Sequence, residues 1–258
     1  MIKGVWASMA KEARKVSNDE PSLVSLLNET ILNQPSFANA LSFHLAGKFE
    51  DSTMTAMAYN HLFLNTFSSD ETLEETALYD LYVIRERDPA CDCYLVPFLY
   101  FKGFVAIQAA RIANVLWKQG RKVMALHLQS RSSEIFGTDI HPAAVVGKGI
   151  MLDHATSFVV GETAVIGENV SILHEVTLGG SGKESGDRHP KVGDGVLIGA
   201  GAKLLGNIKI GTGAKVGAGS VVLDDVADHV TVAGIPAKAV GKPSHLVPSK
   251  FMDHRVSE

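Results

Sequence analysis

At 258 residues and 46% hydrophobic, the chain can bury a full core in one or two domains, while its net charge of −4 leaves no general footprint for nucleic acid or anionic membrane. Its longest apolar run, Tyr94 to Phe101, is far below the roughly 18 residues of a membrane span, and the start Met1-Ile2-Lys3-Gly4 lacks the apolar core of a signal peptide. These features predict a soluble, cytoplasmic protein with no nucleic-acid or membrane partner.

The first 137 residues read as helices. Asp19 with Pro21 predicts the opening of a helix that carries Leu23, Leu26, Leu27 and Ile31 and is closed by Pro35. Ser68 and Glu71 have the S-x-x-E spacing of a capping box, and behind them Leu73, Ala77, Leu78, Leu81 and Ile84 mark one helical face that ends before Asp88-Pro89. Phe98, Phe101, Val105, Ala109, Ile112 and Leu116 line a later helix, stopped by Gly120. Such apolar faces serve either packing among the helices or contacts between copies of the chain. Between the last two helices lie Cys91 and Cys93. Their C-x-C spacing is too close for an ordinary structural disulfide and supplies too few ligands for zinc, so free thiols are expected rather than a metal site.

From Ile140 onward the chain counts in sixes. Ile140, Val146 and Leu152 keep this period, Val160, Ile166, Ile172 and Leu178 resume it two residues out of phase, and Val192, Ile198, Leu204, Ile210, Val216 and Val222 resume it again. Neither a helix nor an alternating strand repeats at six, whereas a parallel β-helix with three short faces per coil does. The aliphatic residue of each hexapeptide points into a narrow core, joined four places later by Val170, Val176, Ala202, Ile208, Ala214 or Ser220. Gly193, Gly199, Gly211 and Gly217, which follow directly, suit corners whose backbone conformation a Cβ would penalise. A two-sheet sandwich would show longer and less regular turn spacing. The architecture is therefore a helical domain followed by a β-helix, with a boundary near Gly137.

Chemistry concentrates at two places on this solenoid. One comprises Asp139-Ile140-His141-Pro142 and Leu152-Asp153-His154-Ala155; the other runs from Gly179 to Pro190, where the repeat is interrupted. An insertion into a solenoid must leave the core as a loop, and this one bears Lys183, Arg188 and His189. Asp139 and Asp153 can both be read as turn-tolerant corner residues; the functional reading sets the Asp139 carboxylate near His154. Three hexapeptides make a coil of about eighteen residues, so an acid fifteen residues before His154 lies nearly one coil away. An aspartate that orients an imidazole and stabilises its cation is what a general base acting on a hydroxyl requires.

The segments DIHPAA, GIMLDHAT, VVGETAVIG, SILHEVTLGG and GDRHPKVGDGVLIGAGAK, closed by AGIPAKAVGKP, resemble the serine O-acetyltransferases, hexapeptide-repeat enzymes that make O-acetylserine for cysteine synthesis. EPSLVSLLNETILNQPSF and the DPA turn before YLVPFLYFKGF resemble that family's helical domain, so the likeness covers nearly the whole chain. It implies an α+β chain with a helical oligomerisation domain over 1–137, a left-handed parallel β-helix over 138–243 that carries catalysis, and a tail over 244–258. It implies that His154 is the general base and Asp139 its orienting partner, that Asp88 and Asp153 hold the substrate ammonium, and that Arg188 and His189 engage the carboxylate and hydroxyl end. The residue types make independent sense, because a zwitterion needs fixed anions and a cation, and arginine offers a fork for a carboxylate.

Acetyl-CoA, the co-substrate, is expected in the groove between adjacent β-helices, with Gly180, Ala200 and Ala218 facing the pantetheine arm and Lys238 or Lys242 near the phosphates; no metal is expected. The resemblance further implies a homo-hexamer of two trimers with sites shared between subunits, and L-cysteine as an inhibitor at the serine site. The segment from His245 to Glu258, with Pro248 and mixed polar composition, fits a mobile tail. Two features depart from the family: the thiols of Cys91 and Cys93 just after the DPA turn, and an end at Arg255-Val256-Ser257-Glu258 without the terminal Ile by which many members dock into cysteine synthase. The cysteine synthase complex is a possible partner that this end leaves in doubt. Alternatives are a hexapeptide-repeat acyltransferase for a sugar or amino-sugar, and a carbonic-anhydrase-like metalloenzyme using His154, His174 and His189 across subunits. A silent scaffold fits poorly with a charged loop inserted into a regular coil.

Overall fold

The computed structural model of the chain describes residues 2–182 and 185–256. In its helical part, α1 (Val5–Asp19) buries Val5, Met9 and Ala13 along one stripe. Asp19 ends this helix instead of opening the next one. The Glu20 carboxylate accepts the Ser22 amide, and the chain then passes through a 3-10 turn at Pro21–Leu23 and α2 (Val24–Leu27) into a π-helical turn at Asn28–Leu32. Leu27 and Ile31 are buried there, whereas Leu26 stays exposed. Helix α3 (Phe37–Phe49) starts at Ser36, whose hydroxyl accepts the Asn39 amide, and α4 (Ala56–Ser69) starts at Thr55. The aromatic core between them includes Phe49 set edge-on to Phe63 with ring centres 5.6 Å apart.

The expected capping box before α5 (Thr72–Arg87) is replaced by a shorter device. Ser68 still belongs to α4 and donates its hydroxyl to the Leu64 carbonyl, while the Asp70 carboxylate accepts from both the amide (3.0 Å) and the hydroxyl (2.6 Å) of Thr72. Leu73, Ala77, Leu81 and Ile84 face the core as their spacing requires. The long helix expected to include Phe98 and Leu116 is two, α6 (Leu95–Tyr100) and α7 (Lys102–Lys118), broken at an extended Phe101. The break turns the start of α7 onto the solenoid so closely that a Cβ on Gly103 would lie 1.9 Å from the Leu152 carbonyl oxygen. Helix α8 (Lys122–Phe136) ends on Gly137 in the left-handed conformation, φ +68°.

Fifteen strands follow among the described residues. They are β1 (Thr138–Ile140), β2 (Val145–Val146), β3 (Met151–Leu152), β4 (Phe158–Val160), β5 (Val165–Ile166), β6 (Ser171–Ile172) and β7 (Thr177–Gly179). Beyond the inserted loop come β8 (Lys191–Val192), β9 (Leu197–Ile198), β10 (Lys203–Leu205), β11 (Lys209–Ile210), β12 (Lys215–Val216), β13 (Val221–Val222), β14 (Thr231–Gly234) and β15 (Ala237–Gly241). They stack as the three faces of a left-handed parallel β-helix. The first face is β1-β4-β7-β10-β13, the second is β2-β5-β8-β11, and the third is β3-β6-β9-β12-β14-β15, whose last strand turns back antiparallel.

The hexad residues register as their count demands, and Val232, which the count does not reach, extends the third column. Ile140, Val160, Leu178, Leu204 and Val222 form one column, Val146, Ile166, Val192 and Ile210 a second, and Leu152, Ile172, Ile198, Val216 and Val232 the third. All but the half-buried Val146 are almost fully enclosed, so truncating one such side chain to alanine costs roughly 2–5 kcal/mol. The glycines after these residues have a different task from the one their sequence suggested. Gly193, Gly199 and Gly211 are needed for close approach, since a Cβ at Gly199 would meet the Ala218 amide nitrogen at 2.6 Å. The left-handed turn lies two residues later, at Gly195, Gly201, Gly213 and Gly219, and at Asn169, Glu175 and His229 where glycine is missing.

The seam between the two parts is an exchange of side chains. Met151 of β3 joins the helical core and Leu152 beside it the solenoid core, which also takes Ile107 from α7. The segment from His245 is no free tail: Pro248 and Ser249 are buried, and Ser249 donates its hydroxyl to the Asn169 carbonyl and accepts at its own carbonyl from Ser171 Oγ.

Candidate active site

The phase slips of the repeat are where polar chemistry leaves the core. Leu152 and Val160 are eight residues apart where six is the rule, and the two extra residues form the corner between the third and first faces. His154 (φ 58°), Ala155 (φ 59°) and Ser157 (φ 59°) all take left-handed conformations there, a strain of roughly 1–3 kcal/mol each that the rigid coil must offset. Ala155 packs into the core, and His154 is pushed out with its side chain 73% exposed. Its Nε2 stands 3.7 Å from the Asp153 carboxylate, and its ring meets His174, one coil further on, edge-on at 5.7 Å. Lys102 from the start of α7 donates to Thr156 Oγ1 at 2.6 Å and ties this corner to the helices.

Asp139 projects outward from β1 on the first face, where its carboxylate accepts the Gln129 amide of α8 at 2.6 Å. Within one chain, the acid against His154 is thus Asp153 and not Asp139. Asp88 caps α5, and its carboxylate accepts the Ala90 amide at 2.9 Å. It directly follows Arg87, whose guanidinium donates to Gly149 O (3.0 Å), Ser171 Oγ (3.1 Å) and Asn169 Oδ1 (3.0 Å). Burial lowers this guanidinium to about 10, which leaves it cationic at neutral pH.

The second cluster occupies a different edge of the prism, between the first and second faces. Here Thr163 pins the end of the inserted loop: its hydroxyl accepts the Arg188 amide (3.1 Å) and the His189 amide (3.2 Å), and its own amide donates to His189 Nδ1 (3.2 Å). Burial first, then the neighbouring cations Arg188 and Lys191, pushes the His189 imidazole below its ordinary value, so it stays neutral near pH 7. With Nδ1 accepting, the ring's proton resides on Nε2, the nitrogen that lies against Gly161 and Gly180. Arg188 forms an ion pair with Glu162 at 2.8 Å. His141 lies on the same edge, edge-on to Trp117 at 5.1 Å.

The sequence-predicted residues therefore sort onto two edges. His154, Ala200 and Ala218 follow the third-to-first edge, whereas Gly180, Arg188 and His189 follow the first-to-second edge. A single chain does not bring them together. Lys238 is exposed on β15 opposite Ala233, and Lys242 lines a cavity of about 240 Å³ with Lys215, Arg255 and Asp253 beneath the C-terminal segment. Lys183 and Glu184 of the loop, like Ser257 and Glu258, lie outside the described residues. Among the described residues, no three His, Cys, Asp or Glu side chains converge to hold a metal ion. Cys91 and Cys93 are free thiols, and burial raises Cys91 to about 11.

Glu162, Thr163 and Arg87 were not singled out from the sequence. The available signal for the first two is positional, since they follow Gly161 at the corner beneath the inserted loop. Arg87 has no such signal, because a charged residue in the last turn of a helix ordinarily faces water.

Residues 5–109 match the family model described as "Serine acetyltransferase, N-terminal", and residues 189–224 match "Bacterial transferase hexapeptide (six repeats)". The serine acetyltransferase of Escherichia coli K12 is 52% identical over 249 residues, covering 96% of this chain and 91% of that protein. A structure of a serine acetyltransferase in complex with cysteine superposes with a TM-score of 0.97 at 47% identity, covering 99% of both chains. The Brucella abortus serine acetyltransferase in complex with coenzyme A superposes with a TM-score of 0.91 at 50% identity, covering 92% of this chain and 95% of that one.

Proposed function

The chain belongs to the serine acetyltransferase family, and from that premise we propose how its residues divide the work. It is an acetyl-CoA-dependent O-acetyltransferase that converts L-serine to O-acetylserine for cysteine biosynthesis. A near full-length likeness to serine acetyltransferases speaks against the sugar-acceptor and metalloenzyme alternatives.

The serine Oγ attacks the thioester carbonyl of acetyl-CoA and loses its proton to the imidazole of His154. The C–S bond then breaks, and the imidazolium returns that proton to the departing thiolate. The orienting role is assigned to Asp139, which must exchange its Gln129 contact for the ring, and Asp153 and Asp88 are assigned to the serine ammonium. Arg188 takes the carboxylate, and the neutral His189 donates from Nε2. Ala200 and Ala218 on one edge, with Gly180 on the other, leave backbone open to a pantetheine arm, and Lys238 and Lys242 are assigned to the phosphates.

The observation that supports this reading is the split of the polar residues between two neighbouring edges. Three such prisms around a threefold axis bring the first-to-second edge of one copy against the third-to-first edge of the next, which completes a site neither copy holds alone. The helical domain over 1–137 pairs two trimers into a cytoplasmic hexamer, the β-helix over 138–243 carries the chemistry, and L-cysteine competes for the serine pocket. The test is a thiol-release assay with acetyl-CoA and a panel of amino acids and sugars. Turnover with L-serine alone is expected; preferential turnover of a sugar would overturn the reading.

A further inference from the structure

Helix α5 is bound to the solenoid by a buried polar network that the reaction does not explain. Asp80, fully enclosed, accepts on one carboxylate oxygen from the Gly149 amide (2.8 Å) and the Ile150 amide (3.0 Å), and on the other from Gln108 Nε2 (2.8 Å) and Arg111. Arg111 reaches on to the Gly147 carbonyl at 2.5 Å. Two turns along α5, Arg87 grips Gly149 O, Asn169 Oδ1 and Ser171 Oγ, all neutral acceptors. Asn169 Oδ1 also accepts from Tyr79 at 3.0 Å. The network seizes both ends of one short path. Gly147 to Ile150 lead directly into β3 and then to Asp153 and His154, and Arg87 leads directly to Asp88.

A buried cation with three neutral partners is a costly way to dock a helix, since apolar packing achieves docking without desolvating a charge. What the guanidinium adds is direction. Its planar fork fixes three acceptors on two successive coils at once and so sets the end of α5 in position and in rotation.

We propose that Arg87 is a positioning residue for the amino-acid substrate: by fixing the end of α5 to Gly149, Asn169 and Ser171, it sets the distance between the Asp88 and Asp153 carboxylates that grip the ammonium group. The proposal rests on the assignment of Asp88 and Asp153 given above. It separates cleanly from a plain charge effect, because the two have opposite signs. Removing a cation beside an ammonium site would tighten serine binding, whereas releasing the end of α5 loosens it.

The test is steady-state kinetics of Arg87→Met, Arg87→Lys, Ser171→Ala and Asp88→Ala in the full-length enzyme, with thermal denaturation as a folding check. Arg87→Met and Arg87→Lys are expected to raise the serine KM by about 10-fold or more, with the acetyl-CoA KM and kcat within about 2-fold; Ser171→Ala, which removes one acceptor, gives a smaller rise in the same parameter. In the Asp88→Ala background, Arg87→Lys is expected to add nothing. If Arg87→Met does not fold, Arg87→Lys and Ser171→Ala decide. A serine KM that is unchanged or lowered in those two, with Asp88→Ala raising it, overturns the proposal. An unchanged serine KM in Asp88→Ala overturns instead the assignment of Asp88.

Discussion

The Arg188 guanidinium is bound to the Glu162 carboxylate at 2.8 Å, across the corner that anchors the inserted loop. The contact holds Glu162 below the usual carboxylate range, so it stays charged at working pH, and a substrate carboxylate must share or displace it. Arg188→Ala is therefore expected to raise the serine KM at least about 30-fold and to leave the acetyl-CoA KM within about 2-fold. Arg188→Lys should rescue poorly, since an ammonium cannot serve two carboxylates as a fork does. An unchanged serine KM in Arg188→Ala would move the carboxylate site elsewhere.

The acid partners of His154 can be told apart by kinetics. His154→Ala is expected to lower kcat by at least about 100-fold with little change in acetyl-CoA affinity. Asp139→Asn should lower kcat with a small effect on the serine KM, and Asp153→Asn should act mainly on the serine KM. The reverse split would give the orienting role to Asp153, the acid that stands 3.7 Å from the ring.

The columns of the solenoid from Ile140 to Val222 were legible in the sequence, because each hexad position is a separate burial decision repeated along the chain, whereas the task of the glycines and the place of Val232 were not. Ile140, Val160, Leu178, Leu204 and Val222 could be stacked in one column from their spacing alone. Helix limits were less legible. Ser68 and Glu71 have the right spacing for a cap, but Asp70 sits nearer to the first turn of α5 and does the work, and the break at Phe101 comes from the approach of Gly103 to Leu152, a contact between distant parts of the chain. For the same reason the interruptions of the repeat drew attention to the corner of His154 and the loop of Arg188, whose roles the family resemblance implies, but missed Thr163 and Arg87, whose partners are set by three-dimensional neighbours. The distribution of site residues over two edges required the order of the strands.

Acid should unsettle the helical part through His44. Its ring stacks on Phe98 at 5.2 Å, and burial first, then the nearby Lys48, lowers it from 6.5 to about 3. The folded-state value is depressed, so the unfolded chain binds the proton first. The stabilisation is fully present above about pH 6.5 and is lost as pH falls toward 3, at up to about 1.4 kcal/mol per pH unit. The melting temperature should decline from pH 6.5 to 4, and His44→Phe, which keeps the stack without the titration, should flatten that decline. Equal slopes in the two proteins would remove His44 from the account.

The proposed assembly can be tested through the two edges. If the site is completed by a neighbouring prism, mixing a His154→Ala chain with an Arg188→Ala chain during refolding should restore activity at a low serine concentration where neither variant alone turns over measurably, because a mixed trimer contains an edge pair in which both residues are intact. Light scattering after size exclusion is expected to give a hexamer of the wild type. A fully active species of monomer mass, or no recovery on mixing, would refute the shared site.

The docked C-terminal segment gives feedback by the pathway's product a specific route. Cysteine keeps the ammonium and carboxylate of serine and differs by one atom, so a pocket built from the proposed residues Asp88, Asp153, Arg188 and His189 cannot easily refuse it. Competition against serine follows. The segment ends beside the candidate pantetheine edge: Lys215 Nζ donates to the Arg255 carbonyl, and a Cβ on Gly217, the neighbour of Ala218, would meet Val256 at 2.7 Å. A tail held in this place leaves less room for coenzyme A. If cysteine stabilises the docked arrangement, it weakens coenzyme A binding, and coenzyme A must weaken cysteine binding by the same factor. Shortening the chain after Asp253 leaves the Ser249 anchor in place but removes the contacts at Lys215 and Gly217. This variant should keep competition between cysteine and serine while losing most of the coupling to coenzyme A. Calorimetric titration of cysteine with and without coenzyme A, on both lengths of chain, measures the two factors; equal coupling in the shortened chain would sink the role of the tail.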